Sequence, residues 1–110
     1  MTPIVDLTTF TELQGNTGAD FVIELVDTFA AEAPAMQAEL RAARAAGAAD
    51  RFRRAAHSLK TNAQTFGALR LAEAARKPEL HGLPPDAAPL DELDASCHEA
   101  LAALQALARG

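Results

Sequence analysis

A chain of 110 residues with 49% hydrophobic and 23% charged residues fits one domain with a single core, and this composition excludes a disordered tail. No apolar run approaches the roughly 20 residues of a membrane-spanning helix, and the N-terminus lacks the basic start and apolar stretch of a secretory signal. The net charge is -5 and the only cysteine, Cys97, cannot pair within the chain, so we expect a cytoplasmic domain over residues 1–110 without membrane association.

The residue composition predicts an all-α fold. β-Branched residues are sparse, Tyr and Trp are absent, and alanine dominates the second half of the chain. A short amphipathic helix is predicted over about residues 6–13, and the sequence Gly-Asn-Thr-Gly at residues 15–18 predicts the turn that ends it. We therefore expect a short N-terminal helix before the main helices.

A long helix is predicted to begin near residues 18–20. Phe21, Leu25 and Phe29 follow one another at four-residue steps, which indicates a stripe that faces the core. Two valines lie beside this stripe, Val22 and Val26. Pro34 interrupts the pattern, so either the helix kinks there or a second helix begins with this proline in its first turn.

The next helix is predicted to begin at Asp50, as its N-cap or within its first turn. Gly67 ends or bends this helix. Its apolar residues recur at steps of four and three and so share one face: Phe52, Ala56, Leu59, Ala63 and Phe66.

Two further helices complete the prediction. One begins near Leu69, meets Pro78 and ends before the Gly-Leu-Pro-Pro sequence at residues 82–85, and the last spans roughly residues 88–108. The inward positions of the last helix are Leu90, Leu93, Cys97, Leu101, Leu104 and Leu107 or Ala108. Helices of this length with short connections most simply form an antiparallel four-helix bundle, here with the short extra N-terminal helix.

Charge is segregated along the chain. Seven of the ten basic residues lie between positions 51 and 77, where Glu73 is the only acid. This segment has two aromatic residues, Phe52 and Phe66, and neither an aromatic platform nor zinc-finger spacing, so a nucleic-acid interface is the weakest interpretation. The segregation instead predicts a local anion site on an acidic bundle.

His57 is the centre of that basic segment. It lies about 200° around the helix from Leu59, so it faces outward when Leu59 faces the core. The same outer face carries Arg53, Arg54, Lys60, Thr61 and Gln64. Neighbouring positive charge disfavours protonation of the imidazole and leaves a ring nitrogen free to attack phosphorus, after which the cations would hold the phosphoryl product.

The residues around His57 carry a family resemblance. The string Ala-Ala-His-Ser-Leu-Lys at residues 55–60, followed by Phe-Gly-Ala at residues 66–68, resembles the signature of histidine-containing phosphotransfer (HPt) domains. The similarity covers about residues 5–82 and includes an Asp near the start, a Phe-x-x-Glu-Leu-x-x-x-Phe helix at residues 21–29, and Leu-Ala at residues 71–72. The family fold, a four-helix bundle often preceded by an extra helix, agrees with the independent reading of the helices.

The resemblance implies a role for each site residue. His57 would be the phosphorylated nucleophile, Lys60 the cation that steadies the phosphoryl oxygens, and Glu79 the group that orients the imidazole. Two positions depart from the family pattern: Thr61 stands where glycine usually leaves room for the partner, and Pro78 stands at a usually apolar helix position and would bend the axis before Glu79. Four residues of the outer face are expected to contact the partner: Arg53, Arg54, Thr61 and Gln64.

The function that the resemblance implies is a phosphorelay intermediate, which shuttles a phosphoryl group between aspartates of response-regulator receiver domains. The expected partners are receiver domains, a hybrid sensor histidine kinase, or both, and the protein is expected to be a monomer. No cofactor or metal of its own is expected, because the receiver would supply Mg²⁺, and no Gly-rich phosphate loop suggests kinase activity. The alternative is an HPt-like adaptor that binds a receiver or kinase without being phosphorylated. We expect His81 and His98 to lie outside the site.

Overall fold

The computed structural model describes residues 2–110, which form five helices and, within that range, no strand. Short connections over residues 46–48, 67–68 and 82–87 reverse the chain between the last four helices. The helices are α1 (Leu7–Thr17), α2 (Ala19–Ala45), α3 (Ala49–Phe66), α4 (Leu69–His81) and α5 (Ala88–Arg109). The predicted all-α bundle with a short extra N-terminal helix is confirmed.

Four helices surround one apolar core. α2 and α4 each pack against both α3 and α5, while α1 lies against α2 and α3. All five apolar residues predicted for the inner face of α3 are buried. The Phe66 ring stacks on that of Phe29 from α2, with ring centroids 5.5 Å apart and planes 12° from parallel, which joins the two helices. Among residues 2–110, no helix is both long and apolar enough to cross a bilayer.

The prediction of which α2 residues face the core was partly wrong. Phe21 is 48% exposed and Leu25 only half-buried, whereas Val22, Val26 and Phe29 are buried. Each four-residue step advances about 400° around a helix, so a stripe built on fours alone drifts by about 40° at each step. Phe21 and Phe29 are two such steps apart, so Phe21 is rotated by about 80° from Phe29 and lies at the exposed edge of the buried face.

The structure decides how the chain behaves at the glycines and prolines that the sequence analysis marked as helix ends or breaks. The helix α1 continues through the predicted turn to Thr17. Gly18, with φ +94°, ends this helix. α2 is one helix that passes through Pro34, whose side chain is exposed, so no second helix begins there. α4 passes through Pro78 and ends at His81, just before the Gly-Leu-Pro-Pro sequence, where the sequence analysis predicts its end.

Gly67 joins the end of α3 to the N-terminal segment. It has φ +75°, a left-handed conformation that ends α3. Its carbonyl accepts a 2.7 Å hydrogen bond from the backbone N–H of Asp6. A Cβ at this position would lie 2.9 Å from Thr9 Cβ and 3.0 Å from Asp6 O. Only glycine therefore allows both the chain reversal and the close approach of the segment before α1.

We expect Gly67→Ala to lower the free energy of unfolding by more than Gly47→Ala does. Both glycines have positive φ, +75° and +65°, so each substitution carries the roughly 1–2 kcal/mol cost of a left-handed alanine. Only Gly67 has atoms in the way of a Cβ, since none lies within 4 Å at Gly47. Urea unfolding of both variants measures the difference, which should exceed about 1 kcal/mol. Equal losses of unfolding free energy in the two variants would show that α1 moves aside at little cost.

Candidate functional site

His57 projects from the outer face of α3. The burial of Phe52, Leu59 and Phe66 on the opposite face fixes this orientation, and 60% of the His57 side chain is exposed. Its Nδ1 lies 2.7 Å from Oε1 of Glu79 on α4. When the ring is neutral, a proton on Nδ1 is donated to this carboxylate, and Nε2 then keeps its lone pair.

Glu79 connects His57 to a second residue of α3. The proline before it, Pro78, is buried within α4, and Glu79 itself is 16% exposed. The Lys60 ammonium lies 2.6 Å from Glu79 Oε2 and forms an ion pair with it. One carboxylate therefore contacts both His57 and Lys60, one with each oxygen.

The charge of Glu79 is stabilised by these two neighbours. The close Lys60 ammonium and, second, the hydrogen bond with His57 lower the pKa of Glu79 below its ordinary 4.5, against a smaller opposing effect of burial. Glu79 is thus an anion at neutral pH. Lys60, only 20% exposed, neutralises this carboxylate in the unphosphorylated protein.

The lowered pKa of Glu79 predicts how stability depends on pH. A carboxyl whose pKa is lower in the folded than in the unfolded chain stabilises the fold above its unfolded pKa, and this contribution is lost as the pH falls through the folded pKa. We expect wild type to exceed Glu79→Gln in stability at about pH 5.5 and the gap to close below about pH 4.5. Urea unfolding from pH 5.5 to 3 measures this gap. Glu12→Gln, at an exposed position on α1, is the control, and a constant gap for Glu79→Gln would contradict the ion pair.

The two arginines predicted beside His57 lie on different sides of it. Each residue advances about 100° around α3, so Arg53 and Lys60 are rotated by 40–60° from His57 toward α4. Arg54 is rotated by about 60° from His57 in the other direction, toward α2. Both arginines are exposed and contact Asp50: Arg53 Nη2 lies 3.9 Å from Oδ1, and Arg54 Nε donates to the backbone oxygen at 3.4 Å. Neither arginine forms a hydrogen bond with the imidazole, whose partner is Glu79.

Thr61 and Gln64 are exposed on the same outer face of α3. Thr61 follows His57 by one turn, on the side of Arg54, and its backbone oxygen accepts a hydrogen bond from the Thr65 hydroxyl. Neither side chain forms a hydrogen bond within the described residues. Both are therefore available to a partner that approaches His57.

Other residues with reactive side chains lie apart from this site. His81 ends α4 and His98 lies on α5, and both are exposed. Cys97 is buried in the core, where desolvation, with a smaller effect of Asp94, raises its pKa to about 11, so its thiol is a poor nucleophile. Residues 2–110 contain no group of three or more His, Cys, Asp or Glu side chains that could hold a metal ion.

Comparison with known proteins identifies the family. The family model described as the Hpt domain matches residues 24–108, most of the chain, including the whole site. The chain belongs to the Hpt domain family. Hpt domains have a phosphotransfer role in two-component signalling, where they interact with receiver domains and kinases. Searches of curated proteins and of solved structures found no match. The match to the Hpt domain includes α5, which the sequence resemblance did not cover, and leaves out α1.

At the site of this Hpt domain, sequence reasoning missed the ion pair between Lys60 and Glu79. The family resemblance implies that Lys60 holds the phosphoryl oxygens, and Pro78 predicts a bend in the helix axis before Glu79. One sequence signal could have indicated this pair: Glu79 is an acid just after the basic segment of residues 51–77. The distance between Lys60 on α3 and Glu79 on α4 depends on how the two helices pack, and the periodicity of a single helix contains no information on that packing.

Proposed function

We propose that this Hpt domain accepts a phosphoryl group on His57 Nε2 from a receiver aspartate and passes it to another receiver aspartate. The observation that carries the proposal is the 2.7 Å contact between His57 Nδ1 and Glu79 Oε1 beneath an exposed ring. A carboxylate that holds the Nδ1 proton fixes the tautomer in which Nε2 is the nucleophile. Attack from Nε2 needs no movement of the bundle, because the ring already lies at the surface.

In the proposed transfer, the Nε2 lone pair attacks the phosphorus of the aspartyl phosphate. An N–P bond forms, the P–O bond to the aspartate breaks, and the aspartate leaves as a carboxylate with the bonding electrons. The ring gains positive charge, which the Glu79 anion offsets through the Nδ1 proton. Lys60 keeps Glu79 ionised and in place, and lies one turn from His57, where its charge also favours the phosphoryl group. The reverse attack by a second receiver aspartate restores the neutral ring.

The receiver supplies the remaining chemistry in this proposal. It provides the aspartate and the Mg²⁺ ion, and this chain adds the exposed imidazole and its two supporting residues. Its partners would be receiver domains, a hybrid kinase, or both, and it would act as a cytoplasmic phosphocarrier and a monomer, without kinase activity of its own.

A second candidate function is an adaptor that binds a receiver or kinase without taking phosphate. Thr61 favours it, because this exposed side chain lies one turn from His57 at a position where the family resemblance has glycine. A branched side chain there narrows the space above the ring. The adaptor would bind a receiver and remain unlabelled.

Phosphoryl transfer from a panel of receiver domains tests the proposal. Each receiver is phosphorylated with radiolabelled acetyl phosphate, freed of excess reagent, and mixed with this protein. Label that moves to the protein and is labile to acid but stable to base identifies phosphohistidine, and the protein with ATP and Mg²⁺ alone should stay unlabelled. Binding of a receiver without transfer would support the adaptor, and labelling by ATP alone would contradict a pure phosphocarrier.

A further inference from the structure

A groove of about 310 Å³ opens between α2 and α3 beside His57. The residues that line it are Glu39, Arg51, Arg54, Ala55 and Ser58. Ser58 follows His57 directly, and Arg54 precedes it by one turn on the side that faces α2. The groove therefore lies on the opposite side of His57 from Glu79.

Two of the lining residues neutralise each other. Arg51 donates from Nε to Glu39 Oε2 at 2.9 Å and from Nη2 to Oε1 at 2.7 Å. This two-bond pair occupies both carboxylate oxygens, and Arg51 is the main cause of the lowered pKa of Glu39. The pair links α2 to α3 and forms one end of the groove.

Arg54 and Ser58 keep unused donors at the groove. The only hydrogen bond of the Arg54 guanidinium within the described residues is the 3.4 Å contact from Nε to Asp50 O, so both of its terminal amino groups are free. The Ser58 hydroxyl has no hydrogen bond within the same residues, and the backbone oxygen of Ser58 is used by Asn62. A guanidinium fork and a hydroxyl therefore meet at one concave surface.

We propose that this groove binds a carboxylate side chain of the receiver domain that docks on His57. The inference rests on the proposed function and adds the chemistry of one partner contact. A planar guanidinium fork matches the two oxygens of a carboxylate, and the Ser58 hydroxyl supplies a third donor. The neighbouring Glu39 has both carboxylate oxygens hydrogen-bonded to Arg51, so Arg54 interacts with it only through its charge, which contributes to the lowered pKa of Glu39, and forms no hydrogen bond with it. A receiver seated over the ring would thus be oriented by an acidic residue on the α2 side.

Steady-state phosphotransfer with matched variants tests the groove. The donor is the receiver that labels wild type fastest, phosphorylated with acetyl phosphate. Arg54→Gln should raise KM for this donor about tenfold with kcat within about twofold, and Ser58→Ala should raise KM about threefold. Arg53→Gln removes the same charge one residue away, on the α4 side, and should raise KM by less than Arg54→Gln does. Arg54→Lys, which keeps the charge but loses the fork, should fall between wild type and Arg54→Gln.

Several results would overturn the proposal that this groove binds a receiver carboxylate. Equal KM values for Arg53→Gln and Arg54→Gln would mean that only general positive charge attracts the receiver. A fall in kcat or in phosphohistidine lifetime for Arg54→Gln, with KM unchanged, would place Arg54 on the phosphoryl group instead. If wild type accepts no phosphoryl group, the proposed function fails but the groove remains testable by calorimetry with beryllofluoride-activated receiver. Binding about tenfold weaker for Arg54→Gln, against a smaller loss for Arg53→Gln, supports the groove there, and equal affinities overturn it.

Discussion

His57→Gln is expected to remove all phosphoryl acceptance and to leave the bundle folded. The imidazole is 60% exposed, so its replacement leaves no cavity in the core. A glutamine amide can still donate to Glu79 Oε1, which keeps that carboxylate satisfied. It has no nitrogen lone pair that can attack phosphorus. Transfer of label from a phosphorylated receiver measures acceptance, and circular dichroism with urea unfolding measures the fold.

The other two histidines provide the control for this result. A variant with both His81→Gln and His98→Gln should take label as wild type does, because both side chains lie outside the site and are exposed. Label that persists on His57→Gln would place the phosphoryl group elsewhere and overturn the assignment. Loss of helical signal in His57→Gln would make the loss of labelling a folding defect, and His57→Asn would then repeat the test.

Lys60→Ala should slow phosphotransfer by about one to two powers of ten without abolishing it. The Lys60 ammonium lies 2.6 Å from Glu79 Oε2 and is the main cause of the lowered pKa of Glu79. Its loss frees the carboxylate that holds the imidazole and removes a positive charge one turn from His57, the proposed nucleophile. Two charges about 4 Å apart interact by roughly 1 kcal/mol in bulk water and roughly 4 kcal/mol at an intermediate dielectric. A loss between these limits, of about 1.4–2.7 kcal/mol, corresponds to a tenfold to hundredfold change in rate. His57 itself remains, so residual transfer is expected. Rapid-quench measurement of label transfer gives the rate.

Lys77→Ala is the matched control for that variant. Lys77 is an exposed lysine on α4 that lies beside Glu92 of α5, on a different side of the helix from the site. Its removal changes the net charge equally and should alter the rate by less than about twofold. Added salt near 1 M, where the screening length is roughly 3 Å, should narrow the gap between wild type and Lys60→Ala. Equal rates for Lys60→Ala and wild type at low salt would show that this ion pair has no part in transfer.

The orientation of His57 could be predicted because α3 has a single strongly apolar face. The five apolar residues that share this face recur at steps of four and three, which average close to the helical period and hold one direction over the whole helix. Once Leu59 faces the core, geometry leaves His57 only an outward direction. The same reasoning is weaker for α2, where apolar residues occur on more than one side and Phe21 is left exposed.

Contacts between helices could not be predicted in the same way. Pro34 and Pro78 both lie inside continuous helices, because tertiary packing outweighs the local cost of about 3 kcal/mol for an interior proline. Whether Glu79 reaches Lys60 depends on the rotation and separation of α3 and α4, which no single-helix pattern contains. The spacing of 22 residues from His57 to Glu79 suggested the pair only through the family resemblance.

The short connection between α3 and α4 also bears on the order in which the molecule assembles. The site residues all lie on these two helices, which residues 67 and 68 join, and His57 and Glu79 are 22 positions apart. By comparison, the hydrogen bond from Arg109 to Asp27 joins residues 82 positions apart and closes a longer loop. Loop-closure entropy rises with the logarithm of loop length, so the nearer pair is the less costly to bring together. We therefore expect the contact between His57 and Glu79 to form before the end of α5 docks on α2 during refolding, and to survive fraying at either terminus.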